Sequence, residues 1–382
     1  MTSLAIGLVL FVQTPQDTPA QTVPPPSIWD KLKIEADGRM RYESTVDNVD
    51  SSDFDGNGIP AGAEIDDRYR GRMRLRLGAK YTLTEQINIG VRISTASDGN
   101  DANNPHWDFG DGDGFSGSGV VMDRFYVDWI CCEPVRVVLG KQPHAFAVPP
   151  IFSDFLWDAD ISPSGISATW KPTMKGDFSV DARVAGYVAT EVPADEDPKL
   201  LAAQGNVYLK AGKVMLQNSL ALYDWGDNQS TAVAGNQGNS STQADFQVFE
   251  DFVSAKLPIG GGLEEISAFA QFMHNLGESE SGLVVGSQLG SSAWKRNSFN
   301  VFIVGYALDG DSVFSPVAQD DTPIAGTGLN DGDGDGMAGL VVGGQYFLRD
   351  NVALKLWALT SHPEGAEDDP MRLRIDLDFR IK

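Results

Sequence analysis

VRVVLGKQPHAFAVPPIFSDFLWDADISPSGISATWK, Val135 to Lys171, decides how the chain is read. It opens on the alternating segment VRVVLGKQ and closes on a second, ISPSGISATWK. Strand side chains point to opposite faces with a period of two, so each segment reads as a strand with two different faces. The eighteen residues between them, PHAFAVPPIFSDFLWDAD (143–160), are too many for a hairpin turn and carry aromatic and acidic side chains together. The expectation is that this loop folds back into the bore of a β-barrel and narrows it.

The same alternation recurs on both sides of that stretch. From Lys31 to Ser44, Ile34, Ala36, Gly38, Met40 and Tyr42 share one face, and Lys33, Glu35, Asp37, Arg39, Arg41 and Glu43 share the other. From Arg68 to Tyr81 the split is sharper: Tyr69, Met73, Leu75, Leu77, Ala79 and Tyr81 oppose Arg68, Arg70, Arg72, Arg74, Arg76 and Lys80. Alternation alone also fits a soluble sandwich with charges in bulk water. Spacing separates the two.

Roughly sixteen such segments follow one another, joined alternately by short turns (TLTE, CCEP, KPTMK, PIGGG, RDN) and by longer loops. An even number of antiparallel strands of about ten residues, with short turns on one side and long loops on the other, is the pattern of an outer-membrane barrel. Closure is compulsory in lipid, where each unpaired backbone group costs several kcal/mol. The fold expected is all-β: a closed antiparallel transmembrane β-barrel of about 16 strands with one long inward-folded loop.

Composition agrees with this class and excludes others. A net charge of -24 and a pI near 4.4 argue against a nucleic-acid partner. No apolar run reaches the roughly eighteen residues of a spanning helix. Residues 1–20 read as a signal peptide, with an apolar core from Leu4 to Val12 and a small-residue cleavage site near Ala20; residues 21–30 read as a linker and 31–382 as the barrel.

The runs MDRFYVDW (122–129), VRVVLGKQ (135–142) and FLWDADISPSGI (155–166), in that order, resemble a family of outer-membrane porins of Gram-negative bacteria. The match is close from Met122 to Gly165 and is one of strand pattern elsewhere. The chain departs from the usual aromatic terminus, ending DFRIK with Phe379 three residues before Lys382. The resemblance implies a water-filled diffusion channel for small hydrophilic solutes or ions, set in outer-membrane lipid. Barrels of this size commonly associate through flat outer walls, so a homotrimer is expected.

Closure would place the last strand beside the first, bringing Arg372, Arg374 and Arg380 next to Arg39 and Arg41 and then to Arg68, Arg70, Arg72, Arg74 and Arg76. Across the bore, the loop offers Asp154, Asp158 and Asp160 with Phe152, Phe155 and Trp157. Carboxylates facing guanidinium groups between low-dielectric walls would filter by size and charge, with a weak lean toward anions. The plainer alternative pairs these arginines with Glu35, Asp37, Glu43, Asp376 and Asp378 on neighbouring strands as a polar lining.

Asp53, Asp55, Asn57 and Glu64 have the spacing of a calcium loop, although Pro60 and the flanking strands do not suit an EF-hand. That spacing carries an alternative function, a secreted or surface-attached calcium-dependent binding protein. The channel reading requires no cofactor, and calcium is possible at this spacing. Catalysis finds no foothold: His106, His144, His274 and His362 lack a ligand partner at metal spacing, and no nucleophile elbow or phosphate loop is present. Cys131 and Cys132 are adjacent in a tight turn and read as incidental.

Overall fold

The computed structural model describes residues 27–46, 67–96, 106–109, 119–152, 155–188, 199–226, 246–314, 317–318, 336–363 and 369–381. Sixteen long strands form the wall. They are β1 Leu32–Val46, β2 Arg68–Thr82, β3 Ile87–Ala96, β4 Gly119–Cys132, β5 Val135–Lys141, β6 Ser164–Trp170, β7 Phe178–Val188 and β8 Lys199–Ala211. Then follow β9 Val214–Asp224, β10 Gln247–Pro258, β11 Glu265–Asn275, β12 Glu280–Gly290, β13 Phe299–Leu308, β14 Met337–Arg349, β15 Val352–Pro363 and β16 Met371–Ile381. A two-residue strand, Trp107–Asp108, pairs with β2 above the end of β3.

Every strand pairs antiparallel with its sequence neighbours, and β16 returns to β1 in the register Arg39↔Asp378, Arg41↔Asp376 and Glu43↔Arg374. That last pairing leaves the sheet without a free edge. The barrel read from alternation and turn spacing is therefore the fold.

Side-chain period and barrel closure together sort the residues. On β2, Leu75 and Leu77 are 42% and 44% exposed on the outer wall, whereas Arg72 and Arg74 are 4% and 7% exposed inside. The outer wall continues as a belt of Leu, Ile, Val, Met and aromatic side chains on every strand, such as Leu139, Ile166, Leu283, Ile303 and Ile375. An apolar belt of this extent on a closed barrel is solvated by lipid, not by water. Polar side chains on it pair with each other: Asn218 Nδ2 donates to Asp251 Oδ1 at 2.7 Å, between Leu220 and Val253. Near the C-terminus, the Phe379 ring on β16 lies against Gly38 of β1, so the last aromatic covers backbone that a glycine leaves bare.

The interior is divided, which alternation did not foretell. One side is ionic. The other buries Tyr187, Leu200, Tyr223, Val248, Phe269, Met273, Val304 and Tyr306 against Phe155, Leu156 and Trp157 of the inward loop. The expectation of a wholly wet, ionic lining is corrected here. A loop carrying that many aromatic side chains is stable in the bore only where the wall offers apolar surface to cover them.

Candidate functional site: the constriction

The segments that flank the inward loop also build its base. Gly140 has φ +111°, and a Cβ there would lie 2.4 Å from the Phe125 carbonyl oxygen, so only glycine brings β5 this close to β4. Lys141 Nζ donates to the Ser162 carbonyl at 2.9 Å, tying the loop's start to its end. Gln142 Nε2 donates to the Gly165 carbonyl at 3.2 Å, and its Oε1 accepts from Ser167 Oγ at 2.6 Å. Arg124 Nε donates to Ser162 Oγ at 2.9 Å, and Ser162 Oγ donates to Asp123 at 3.0 Å. Both ends of the loop are thus fixed to β4, β5 and β6.

The middle of the loop is seated on the apolar wall. Trp157 is 4% exposed and stacks on His144 at 4.5 Å and on Trp225 at 6.2 Å. Phe155 packs on Tyr306 at 4.7 Å and Phe152 on Trp357 at 5.3 Å. Gln204 clasps the Ala147 backbone from both sides, accepting at 2.7 Å and donating at 2.9 Å, and Arg183 donates to the Ala145 carbonyl at 3.0 Å. Burial holds His144 down to about 3, so it is neutral at ordinary pH.

From that seat the loop turns its acidic end to the basic wall. Asp158 Oδ1 accepts the Asp160 amide at 2.6 Å, which turns the chain and aims the Asp160 carboxylate across the bore. Asp160 accepts from Arg74 at 2.8 Å and from Arg76 at 2.7 Å. Burial pushes its carboxyl up, but Arg74, Arg76 and Arg39 more than offset this and hold it below the usual carboxylate range. Asp154 lies outside the described residues.

Arg39, Arg41, Arg70, Arg72, Arg74, Arg76, Arg372 and Arg374 all lie on inner positions of β1, β2 and β16, within one patch; Arg68 is at its edge, with a 59% exposed side chain. Carboxylates are interleaved with them. Arg39 meets Asp378 at 2.7 Å, Arg41 meets Asp376 at 2.7 Å, Arg76 meets Asp37 at 2.9 Å, and Arg374 and Arg70 share Glu43. Asp108, on the two-residue strand, meets Arg72 at 2.7 Å and Arg70 at 3.0 Å. Arg380 stands apart from the patch, its guanidinium 4.3 Å over the Trp294 ring.

Between wall and loop lies a cavity of about 400 Å³. Arg39, Arg41, Arg72, Arg74, Arg76 and Lys355 line one side, and Phe152, Asp158 and Asp160 the loop side. His106, Gln288, Asn300, Gln345 and Trp357 complete it. Sequence reasoning missed Lys355, Trp357, Gln345 and Asn300, which occupy inward positions on β15, β14 and β13. Strand parity would have found them. His106 and Asp108 had no such signal, because their segment meets β2 only through tertiary pairing.

The calcium spacing at Asp53, Asp55, Asn57 and Glu64 lies outside the described residues. Among the described residues no group of His, Cys, Asp and Glu could hold a metal ion. Cys131 and Cys132 are free thiols with their Sγ atoms 3.4 Å apart.

Known structures share this barrel. Pseudomonas putida OprB, in its high-pH structure, is similar over 92% of this chain and 94% of its own, with a TM-score of 0.58 and 10% identity. An anion-selective porin from Comamonas acidovorans is similar over 92% and 99%, with a TM-score of 0.51 and 12% identity. At such identities the likeness is one of fold. No curated protein sequence matches. The sequence pattern of the family described as "Putative porin" matches residues 20–253, more than half of the chain, and the chain belongs to that family.

Proposed function

We propose that this outer-membrane porin is a diffusion channel whose constriction filters small hydrophilic solutes and ions by size and charge, with a preference for anions. The general activity, passive passage through a closed barrel, follows from the family and the fold. The finer reading rests on one observation: the cavity between loop and wall is lined by five arginines and Lys355 against two loop carboxylates. Several of these cations are neutralised by neighbours, yet the cations of the patch outnumber its carboxylates. Low-dielectric walls focus the remaining positive potential into the gap, and Asp160, paired with Arg74 and Arg76, offsets only part of it.

The direct test is the zero-current potential of the purified full-length protein in a planar bilayer under a KCl gradient. The reading expects chloride to be favoured over potassium by about twofold to fivefold at moderate salt, declining as salt rises and screening shortens. A potassium preference, unchanged across salt, would refute the basic-wall filter and leave the barrel intact.

A further inference from the structure

The constriction carries more than a field. One row of inward residues crosses it from strand to strand, Asn300↔Gln345↔Lys355↔Asp376↔Arg41, each directly opposite the next. Chemistry changes along this row from amides to cations, and Lys355 stands at the change.

Lys355 differs from every arginine around it. Its strand neighbour Asp376 is already held by Arg41 at 2.7 Å and 3.1 Å and by Trp357 Nε1 at 3.1 Å. The Lys355 ammonium lies instead over the Trp357 ring at 4.1 Å and 5.6 Å from that of Phe302. Among the described residues no carboxylate lies within ion-pair distance of it. A π-face satisfies an ammonium only in part, leaving N–H donors for an anion.

The same cavity is lined by polar atoms that no described residue pairs. The Gln345 amide makes no side-chain hydrogen bond to the described residues and faces the cavity. His106 is 5% exposed, lines the same cavity, and its Nε2 has no partner; Arg74 Nε is likewise unpartnered. Burial, with Arg41, Arg74 and Arg72 nearby, holds the His106 imidazole well below its ordinary value, so it is neutral and suits a hydroxyl. Buried polar atoms left unpaired are expensive, and a solute that pairs them recovers that cost.

We propose that the constriction contains a binding site for small polyhydroxylated carboxylates, the sugar acids, with the carboxylate on Lys355 and hydroxyls on Gln345 and Asn300. This rests on the channel reading above and names the solute class for the same constriction. The spacing fits: adjacent strands lie about 4.8 Å apart, so an extended sugar acid with its carboxylate at Lys355 reaches the next two strands with successive hydroxyls. A simple fatty acid offers nothing to the amides. A neutral sugar offers the ammonium neutral acceptors but no opposite charge.

The test is block of single-channel chloride current in planar bilayers by gluconate, with hexanoate and glucose as probes of charge alone and hydroxyls alone. Gluconate is expected to block at least about tenfold more tightly than either. Lys355→Gln should raise its half-blocking concentration by about tenfold, and Gln345→Leu by about threefold, with chloride steps persisting in both variants to show an intact barrel. Equal block by gluconate and hexanoate, or block unmoved by Lys355→Gln, would overturn the site while the channel reading stands. Absence of current steps in the wild-type protein would overturn both.

Discussion

Replacing Arg72 and Arg74 together by glutamine should turn the channel toward cations, with the chloride-to-potassium permeability ratio falling by about threefold or more. The effect is larger than the loss of two charges from a surface. Arg74 holds Asp160, and Arg72 holds Asp108. Removing both guanidiniums deletes two positive charges and leaves Asp160 to Arg76 and Asp108 to Arg70, each carboxylate with one fewer cation beside it. Because the gap is lined by low-dielectric wall, these charges act on a passing ion with less screening than they would outside. Zero-current potentials of the variant and the parent in the same KCl gradient measure the change. An unaltered ratio would mean that ions do not pass beside Arg72 and Arg74.

Trp157→Ala is the second change with a large expected effect. Trp157 is buried between His144 and Trp225, with Tyr187 beside it. Truncating a buried tryptophan costs about 3–5 kcal/mol in transfer and cavity terms. Here that loss falls on a loop, not on the wall. The barrel strands keep their ladders, so the expected result is an assembled channel with conductance raised by about twofold and larger current noise, as the loop samples positions away from its seat.

The same seat gives the loop a pH dependence of definite sign. His144 is held neutral in place down to about 3, while an unseated imidazole takes a proton near its ordinary value of about 6.5. Below that ordinary value the released loop binds a proton that the seated loop does not. The seated state therefore weakens progressively as pH falls from about 6.5 toward 3. Asp160 acts in a lower window: its contribution is intact above the ordinary carboxylate value and is lost only as pH falls through its depressed one. Acid-induced current noise should thus begin below about pH 6.5 and be abolished by His144→Phe. Noise that begins only near pH 4 in both proteins would point to the carboxylates alone.

Much of this was legible before any coordinates. Alternation in RYRGRMRLRLGAKY placed Arg72, Arg74 and Arg76 on one face because a strand leaves them no other choice, and closure put Asp376 and Glu43 among them. The Leu-Gly-Lys-Gln segment reads in sequence only as a strand before a long loop; the fit of Gly140 and Gln142 to the loop base depends on the neighbouring strands. What stayed hidden depended on contacts across the barrel. Tyr187, Tyr223 and Phe269 sit at inward positions that parity marks plainly, but nothing local says that an aromatic loop will lie on them. Lys355 and Gln345 share that fate: each is flanked by apolar residues in its strand, and only the register between β14, β15 and β16 makes them a site. His106 and Asp108 belong to a segment without strand period, so their place against β2 has no trace in the local pattern.

The central claim is that one wall of alternating segments separates lipid outside from a conducting, charged bore inside. Single cysteines at Leu75 and at Arg76, introduced after Cys131 and Cys132 are changed to serine, test it at two consecutive residues. A membrane-impermeant cationic thiol reagent applied to the protein in bilayers should react at position 76 and reduce the current, while position 75 stays unmodified. Modification at 75 with none at 76 would contradict the account.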